Sequence, residues 1–355
     1  MTSEQLVASQ AAITHGRRGR RRITFGLDRF SGLYLWAAFI VVFGVWKPDL
    51  FLTSVTLRTV TSQYAVTAML AIAVLLPLVA GGYDLSVGAS ANLAAIIAIV
   101  FQTNHHLGMW VSMGLAVLAA TGVGVINGFL VVRLHVSPLI ATLGMATVVS
   151  AVQSIASSDS QPFPPSSPSW GQLSQRTFGG VQVVFFYLVG LAFVVWWVLE
   201  WTPAGRYLRA VGGNPEAARL AGVATGRWTW LSFVGSGFIA GVAGVMYGSQ
   251  SGPSLTFGQA LLLPAFAAVF LGSTQLTPGR ANVWGTLLAV YVLATGVKGL
   301  QLVTGVQWLN DMFNGVALLA AVSFAVWRQG RTSRSRRRRT WLSRRPANED
   351  VGAAP

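Results

Sequence analysis

The chain has 355 residues, 53% of them hydrophobic and 10% charged, with no cysteine and a formal net charge of +15. Soluble domains carry about 25% charged residues, so an ordinary soluble fold is excluded. The missing cysteine excludes disulfides, thiolate metal sites and cysteine nucleophiles.

In chain order, residues 1–28 read as a disordered basic tail holding Arg17, Arg18 and Arg20 to Arg22. No short apolar core with a small-residue cleavage site follows, so no removable signal peptide is expected and the first span acts as an anchor. That span, Phe30–Trp46, closes at Lys47-Pro48-Asp49. The second, Val60–Ala80, carries Pro77 near its end, which should kink or stop it. Gly81 to Gly88 interrupt the apolar run before a short third span, Val87–Phe101. A polar turn at Gln102 to His106 precedes the fourth span, Leu107–Val132, ended by Arg133; the fifth is Val136–Ala156. Residues 157–180, with Pro162, Pro164, Pro165 and Pro168 among serines, are expected to be the longest internal loop. The sixth span, Val181–Trp201, leads into a polar, arginine-bearing island at 205–227. The seventh, Trp228–Tyr247, is followed by an expected break at Gly248 to Gly258. Span eight is Gln259–Leu271, a polar turn covers Gly272 to Asn282, and spans nine and ten are Val283–Val303 and Val306–Trp327. A basic tail, 328–355, finishes the chain.

Uncharged stretches at 59–83, 134–158, 177–199 and 228–279 meet the roughly 20 apolar residues that one crossing requires. They are continuous, not alternating, which argues against a β-barrel. The expected fold is therefore an all-α polytopic membrane protein of about ten transmembrane helices over 29–327, flanked by the two tails. Ten crossings put both termini on one side. If that side is cytoplasmic, 21 of the 25 Lys and Arg lie inside, leaving Lys47, Arg58, Arg176 and Lys298 outside. This is the asymmetry of the positive-inside rule. The island at 205–227 then faces inward and 157–180 outward. The basic tails abut apolar spans and suit anionic membrane lipid, whereas Trp341 alone interleaves the C-terminal arginines, so no nucleic-acid partner is expected.

Within the island, Asn214 is placed to cap a short helix with Pro215 at its first position and Glu216 in its first turn. Ala217, Ala218 and Ala221 give it a small-residue face, and Gly222 ends it in a left-handed cap. Spacing alone leaves two readings open: an ordinary capped surface helix, or a handle for a soluble partner. At the 81–88 break, Asp84 is costly at membrane depth, about 2.5–3.5 kcal/mol, unless paired, capping or wet. Asp84 or Ser86 can cap the third span, or line a pathway. Gln63, Asn92, Asn127, Thr142 and Gln153 are polar residues inside apolar spans. They suit hydrogen bonds to a passing polyol, or bonds that hold helices together at about 0.6 kcal/mol each. Asp311 and Lys298 read as interfacial, and His105-His106 as a solvated turn; no metal site or cofactor is expected. Gly81 to Gly88 also echo Gly272 to Gly279 as Gly-x-x-[Asp/Gln]-Leu-[Ser/Thr]-x-Gly, a candidate internal repeat. The paired glycines at 122/124 and 235/237 follow no strand, and no Walker motif occurs.

Gly205, Arg206, Ala210, Gly212, Asn214, Ala217, Ala218 and Gly222 form a pattern that resembles the cytoplasmic loop of ribose-type ABC importer permeases. The Gly-Gly-x-Asp-Leu-Ser-Val-Gly element at 81–88 resembles the most specific signature of that family, and Pro138 to Gly144 resembles its Phe-Ile-Ala-Thr-Leu stretch. The likeness covers roughly residues 30–327. Ser273 and Leu276 to Arg280 depart from the family's glycine-rich turn, and Tyr83 stands where an aliphatic residue is usual. The resemblance implies a bacterial cytoplasmic (inner) membrane subunit that imports a sugar or related polar solute without an ATPase site of its own. It implies a second permease subunit, identical or not, two cytoplasmic ATP-binding subunits or one tandem ATPase, and an extracytoplasmic solute-binding protein. Arg206, Gly212, Asn214, Glu216, Ala217, Ala218 and Gly222 would form the ATPase-coupling loop, and Asp84, Ser86, Gln63, Asn92, Asn127 and Thr142 the pathway or helix break. An ion-coupled secondary transporter is the rival, and needs coupled intramembrane carboxylates of which Asp84 is the one plausible member.

Overall fold

The computed structural model describes residues 27–277, 279–306 and 308–323. The basic tails, apart from the first helix turn, and the end of the tenth expected span lie outside these residues.

The chain is almost wholly helical. In order come α1 (Leu27–Trp46), the short α2 (Pro48–Phe51), α3 (Ser54–Val79), α4 (Val87–Thr103), α5 (Met109–Val132) and α6 (Pro138–Ser157). Next are α7 (Pro168–Gln175) and the two-residue strands β1 (Thr177–Phe178) and β2 (Val181–Gln182), paired antiparallel. Then come α8 (Val183–Trp201), α9 (Pro203–Gly213), α10 (Pro215–Leu220), α11 (Thr225–Ser251), α12 (Phe257–Gly272), α13 (Val283–Thr304) and α14 (Leu309–Ser323). Six helices, α3, α5, α6, α8, α11 and α13, are long and apolar enough to cross a membrane. α4, α12 and α14 are shorter apolar helices, as is the Phe30–Trp46 part of α1. Helices satisfy their own backbone groups, the condition for sitting in lipid.

The core is α3, α4 and α11, with α12 and α13 against them. Every residue from Ala68 to Ala73 on α3 is fully buried, and the middle of α4 is buried on all sides. Both helices are largely apolar all round, as enclosed helices are, with Asn92 the buried amide on α4. α11 packs along α5, α4 and α3. Two short helices meet head to head within this core. A Cβ on Gly88, at the start of α4, would overlap the Gly258 carbonyl oxygen at the start of α12, and a Cβ on Gly258 would overlap the Gly88 carbonyl oxygen. Backbones approach this closely only where both residues lack a side chain.

Several boundaries differ from expectation for identifiable reasons. α3 starts at Ser54, because the Thr53 hydroxyl accepts the Thr56 amide at 3.2 Å and caps it there. It runs two residues past Pro77 and then stops. The break expected at 248–258 is only 252–256: α11 continues to Ser251 and Gly252, at φ +82°, ends it. The 157–180 stretch is not a plain loop. α7 plugs the bundle through Trp170, whose indole N–H donates to the Gly248 carbonyl at 3.2 Å, and through the Ser174 hydroxyl, which donates to the Met246 carbonyl at 3.1 Å. The eight-residue echo is not a conformational repeat. Gly81 is left-handed at φ +85° where its counterpart Gly272 ends a helix, and Gly88 is helical where Gly279 is at φ +86°.

Candidate functional site

The 80–86 bend between α3 and α4 is built around one carboxylate. Asp84 is 1% exposed. Its Oδ1 accepts the Ser86 amide at 3.0 Å and the Ser86 hydroxyl at 2.6 Å, and its Oδ2 accepts the Ser236 hydroxyl of α11 at 2.8 Å. The Asp84–Ser86 bond is an Asx turn, the device that lets a short acid fold the backbone two residues on. Asn127 of α5 donates to the Ser86 hydroxyl oxygen at 2.7 Å, and the Thr142 hydroxyl of α6 accepts the Leu85 amide at 3.0 Å while donating to the Pro138 carbonyl at 2.8 Å. One buried network thus ties four helices to the bend, with Asp84 held by hydrogen-bond donors and by no cation among the described residues. Asn127 Oδ1 is buried in it without a partner.

A second network sits where α4 meets α12. Asn92 donates to Gln153 Oε1 at 2.6 Å and to the Leu255 carbonyl, and its Oδ1 accepts the Gly258 amide at 3.2 Å. Gln153 also donates to the Leu255 carbonyl, at 3.0 Å. Gln63 belongs to neither network: it is exposed on α3. Asp84, Ser86, Asn92, Asn127 and Thr142 are all buried inside a single chain. Apart from Asn127 Oδ1, their polar side-chain atoms bond one another, Ser236, Gln153 or backbone, and so join one helix to the next.

The island after α8 folds as two helices. α9 was not foreseen; Leu208 and Val211 turn inward, and the Tyr207 ring stacks on Trp228 of α11 at 5.1 Å. Arg209 is paired with Glu200, while Arg206 is exposed. Asn214 caps α10, its Oδ1 accepting the Ala217 amide at 3.0 Å, with Pro215 at the first position and Glu216 in the first turn. The helix closes in a Schellman motif: the Val223 amide bonds the Ala218 carbonyl and the Gly222 amide the Arg219 carbonyl, both at 3.0 Å, with Gly222 at φ +83°. Ala218, expected on the outer face, is buried; the outer surface of α10 is Glu216, Ala217, Arg219, Leu220 and Ala221. Leu220 is 86% exposed.

The two sites touch. Gly212, at the end of α9, lies on the backbone of Val79 to Gly81 at the end of α3: a Cβ on Gly81 would sit 3.3 Å from Gly212 Cα, and one on Gly212 would overlap the Val79 carbonyl oxygen. Three residues further along the chain stands Asp84. Ser236 and the Leu255 carbonyl, members of the two networks, and the outward Leu220 are the groups that sequence reasoning missed. Ser236 is one of four serines on α11 and Leu220 one of two leucines in the 205–227 island, and nothing local in the sequence says which way either points. Among the described residues no three His, Asp or Glu side chains come together to hold a metal ion.

Comparison with known proteins places the chain among transport permeases. The family profile described as "Branched-chain amino acid transport system / permease component" matches residues 56–322. The fructose import permease protein FrcC of Rhizobium meliloti is 32% identical over 81% of this chain and 82% of its own length. The ribose import permease protein RbsC of Bacillus subtilis is 30% identical over 83% of this chain and 91% of its own length. The L-arabinose transport system permease protein AraH of Escherichia coli is 27% identical over 85% and 92%.

Proposed function

This chain belongs to the family of branched-chain amino acid transport system / permease components, and from that premise we propose that it is the membrane-spanning subunit of an ABC importer for a sugar or related polar solute. Its relatives named above are import permeases for fructose, ribose and L-arabinose. In this reading the ten apolar helices cross the bacterial inner membrane with both termini cytoplasmic. The 29–327 region is the permease domain and the two basic tails lie on its inner side against lipid. The chain works with a second permease subunit, with two ATP-binding subunits or one tandem ATPase, and with an extracytoplasmic binding protein, and hydrolyses no ATP itself.

The observation that carries the proposal is the seat of the α9–α10 loop on the α3–α4 bend. α10 is capped at both ends and offers Glu216, Ala217 and Leu220 outward. An ATPase groove that grips this face moves Gly212, and Gly212 rests on Val79 to Gly81. The bend in turn is joined through Asp84, Ser86, Asn127 and Thr142 to α4, α5, α6 and α11. Closure of the ATPase pair then reorients these helices as a linked set, a shift between two packed states. Gln63 and the outward surface of α6, the least buried of the six long helices, face the second subunit across the solute route. Asn92 and Gln153 fix the wall of that route.

The test is to co-express the chain with its ATPase and binding protein and introduce Glu216→Arg or Leu220→Glu. Both variants should insert normally, lose ATPase co-purification and lose binding-protein-dependent uptake. Intact co-purification and uptake in both would overturn the coupling role. Vesicles holding this chain alone that accumulate solute would point to the ion-coupled alternative. Ligand-shift melting of the binding protein against a sugar panel identifies the solute.

A further inference from the structure

At the same end of the molecule as the α9–α10 loop, a groove of about 670 Å³ opens between α5 and α11. Its wall is apolar: Ile126, Phe129 and Val132 from α5, and the Trp230 ring from α11. Trp230 is fixed there. Its indole N–H donates to the Val125 carbonyl at 3.0 Å, and its ring lies on Gly128, where a Cβ would displace it. The mouth of the groove carries two arginines, Arg133 at the end of α5 and Arg227 in the first turn of α11. Both are exposed, and neither has an ion-pair partner among the described residues. The carboxylates of the adjoining stretch are already taken, Glu200 by Arg209 and Glu216 by Arg219.

An apolar slot between two membrane helices, closed at its water end by two uncommitted guanidinium groups, has the chemistry of an acyl chain joined to a phosphate. Guanidinium groups bind phosphate oxygens in a fork geometry. Basic pockets between transmembrane helices at a membrane surface are where anionic headgroups bind. We propose that the α5–α11 groove is a binding site for one anionic phospholipid, its phosphate between Arg133 and Arg227 and an acyl chain along Phe129 and Trp230. Because the groove adjoins Thr225 and Gly226, where the loop returns to the membrane, the bound lipid stands beside the segment proposed to receive the ATPase. The lipid site does not depend on that role and is tested without it.

The full chain is placed in nanodiscs of equal parts phosphatidylcholine and phosphatidylglycerol, with a trace of either lipid bearing a photoactivatable acyl chain, and the labelled peptides are mapped. The phosphatidylglycerol probe should label 125–133 and 226–230 at least about tenfold more than the phosphatidylcholine probe, since each arginine near the surface favours an anionic lipid. Arg133→Gln with Arg227→Gln should bring the anionic label down to the neutral level, and the paired lysine variant should retain most of it. Ile126→Trp, which fills the slot and keeps both charges, should lower the label from either probe. Equal labelling by the two lipids on the unaltered chain overturns the proposal, whatever the variants do. So does anionic labelling that survives the double glutamine change, or cross-linking that shows a protein chain lying in the groove instead of lipid.

Discussion

At the scale of single residues, Asp84 is the group on which most depends. Removing its side chain as Asp84→Ala leaves the Ser86 amide and the Ser86 and Ser236 hydroxyls without their acceptor in a dry interior. A buried donor left unsatisfied costs about 1–3 kcal/mol. The variant should therefore unfold in detergent with at least about 2 kcal/mol less stability, and Asp84→Asn, which keeps one acceptor oxygen, should lose less. An unchanged denaturation midpoint for Asp84→Ala would show that the network does not hold the bend. The glycine contact of α4 and α12 makes a separate prediction. Gly88→Ala or Gly258→Ala forces a methyl group into a carbonyl oxygen, and overpacking of this kind costs about 1–3 kcal/mol. Gly114→Ala, on α5, meets nothing within 4 Å and should be neutral or slightly stabilising in the same assay.

At the scale of elements, α10 was legible in the sequence because everything that makes it a helix is local: the asparagine cap, Pro215, the acidic first turn and the left-handed glycine all fall within nine residues. Asn214→Ala should cost about 1 kcal/mol of local helix stability. That loss should appear as faster amide exchange in 215–221 while the transmembrane helices stay protected. α9 was not legible, since its helix ends in Gly212-Gly213, a pair that discourages helix; the contact with α3 explains Gly212, while a Cβ on Gly213 would meet nothing within 4 Å. The 157–180 stretch misled for a related reason. Its prolines and serines announce turns, but Trp170 and Ser174 are inserted into α11 from more than 70 residues away. Likewise the partner of Asp84 on α11 is 152 residues distant, and no spacing rule reaches that far.

For the whole molecule, the distribution of charge and of uncharged stretches was enough to identify an all-α polytopic membrane protein, because crossing length and charge placement are properties of the chain and its solvent, not of its packing. What the sequence did not disclose is which polar residues face a route and which face each other; that is decided by helix rotation, and five of the six candidate pathway residues turn inward. The proposed topology has a direct check. The natural chain lacks cysteine, so single substitutions report cleanly. Ser160→Cys should react with an impermeant maleimide on intact cells, and Ala221→Cys only after the membrane is opened; the reverse pattern would invert the orientation.

The seat of Gly212 on Val79 has a mechanical consequence. Main chain bears on main chain there, and no rotatable side chain lies between them to swing aside. Such a joint has no play, so a displacement applied to one member reaches the other undiminished, and any residue bulkier than glycine would act as a shim that holds the two permanently apart.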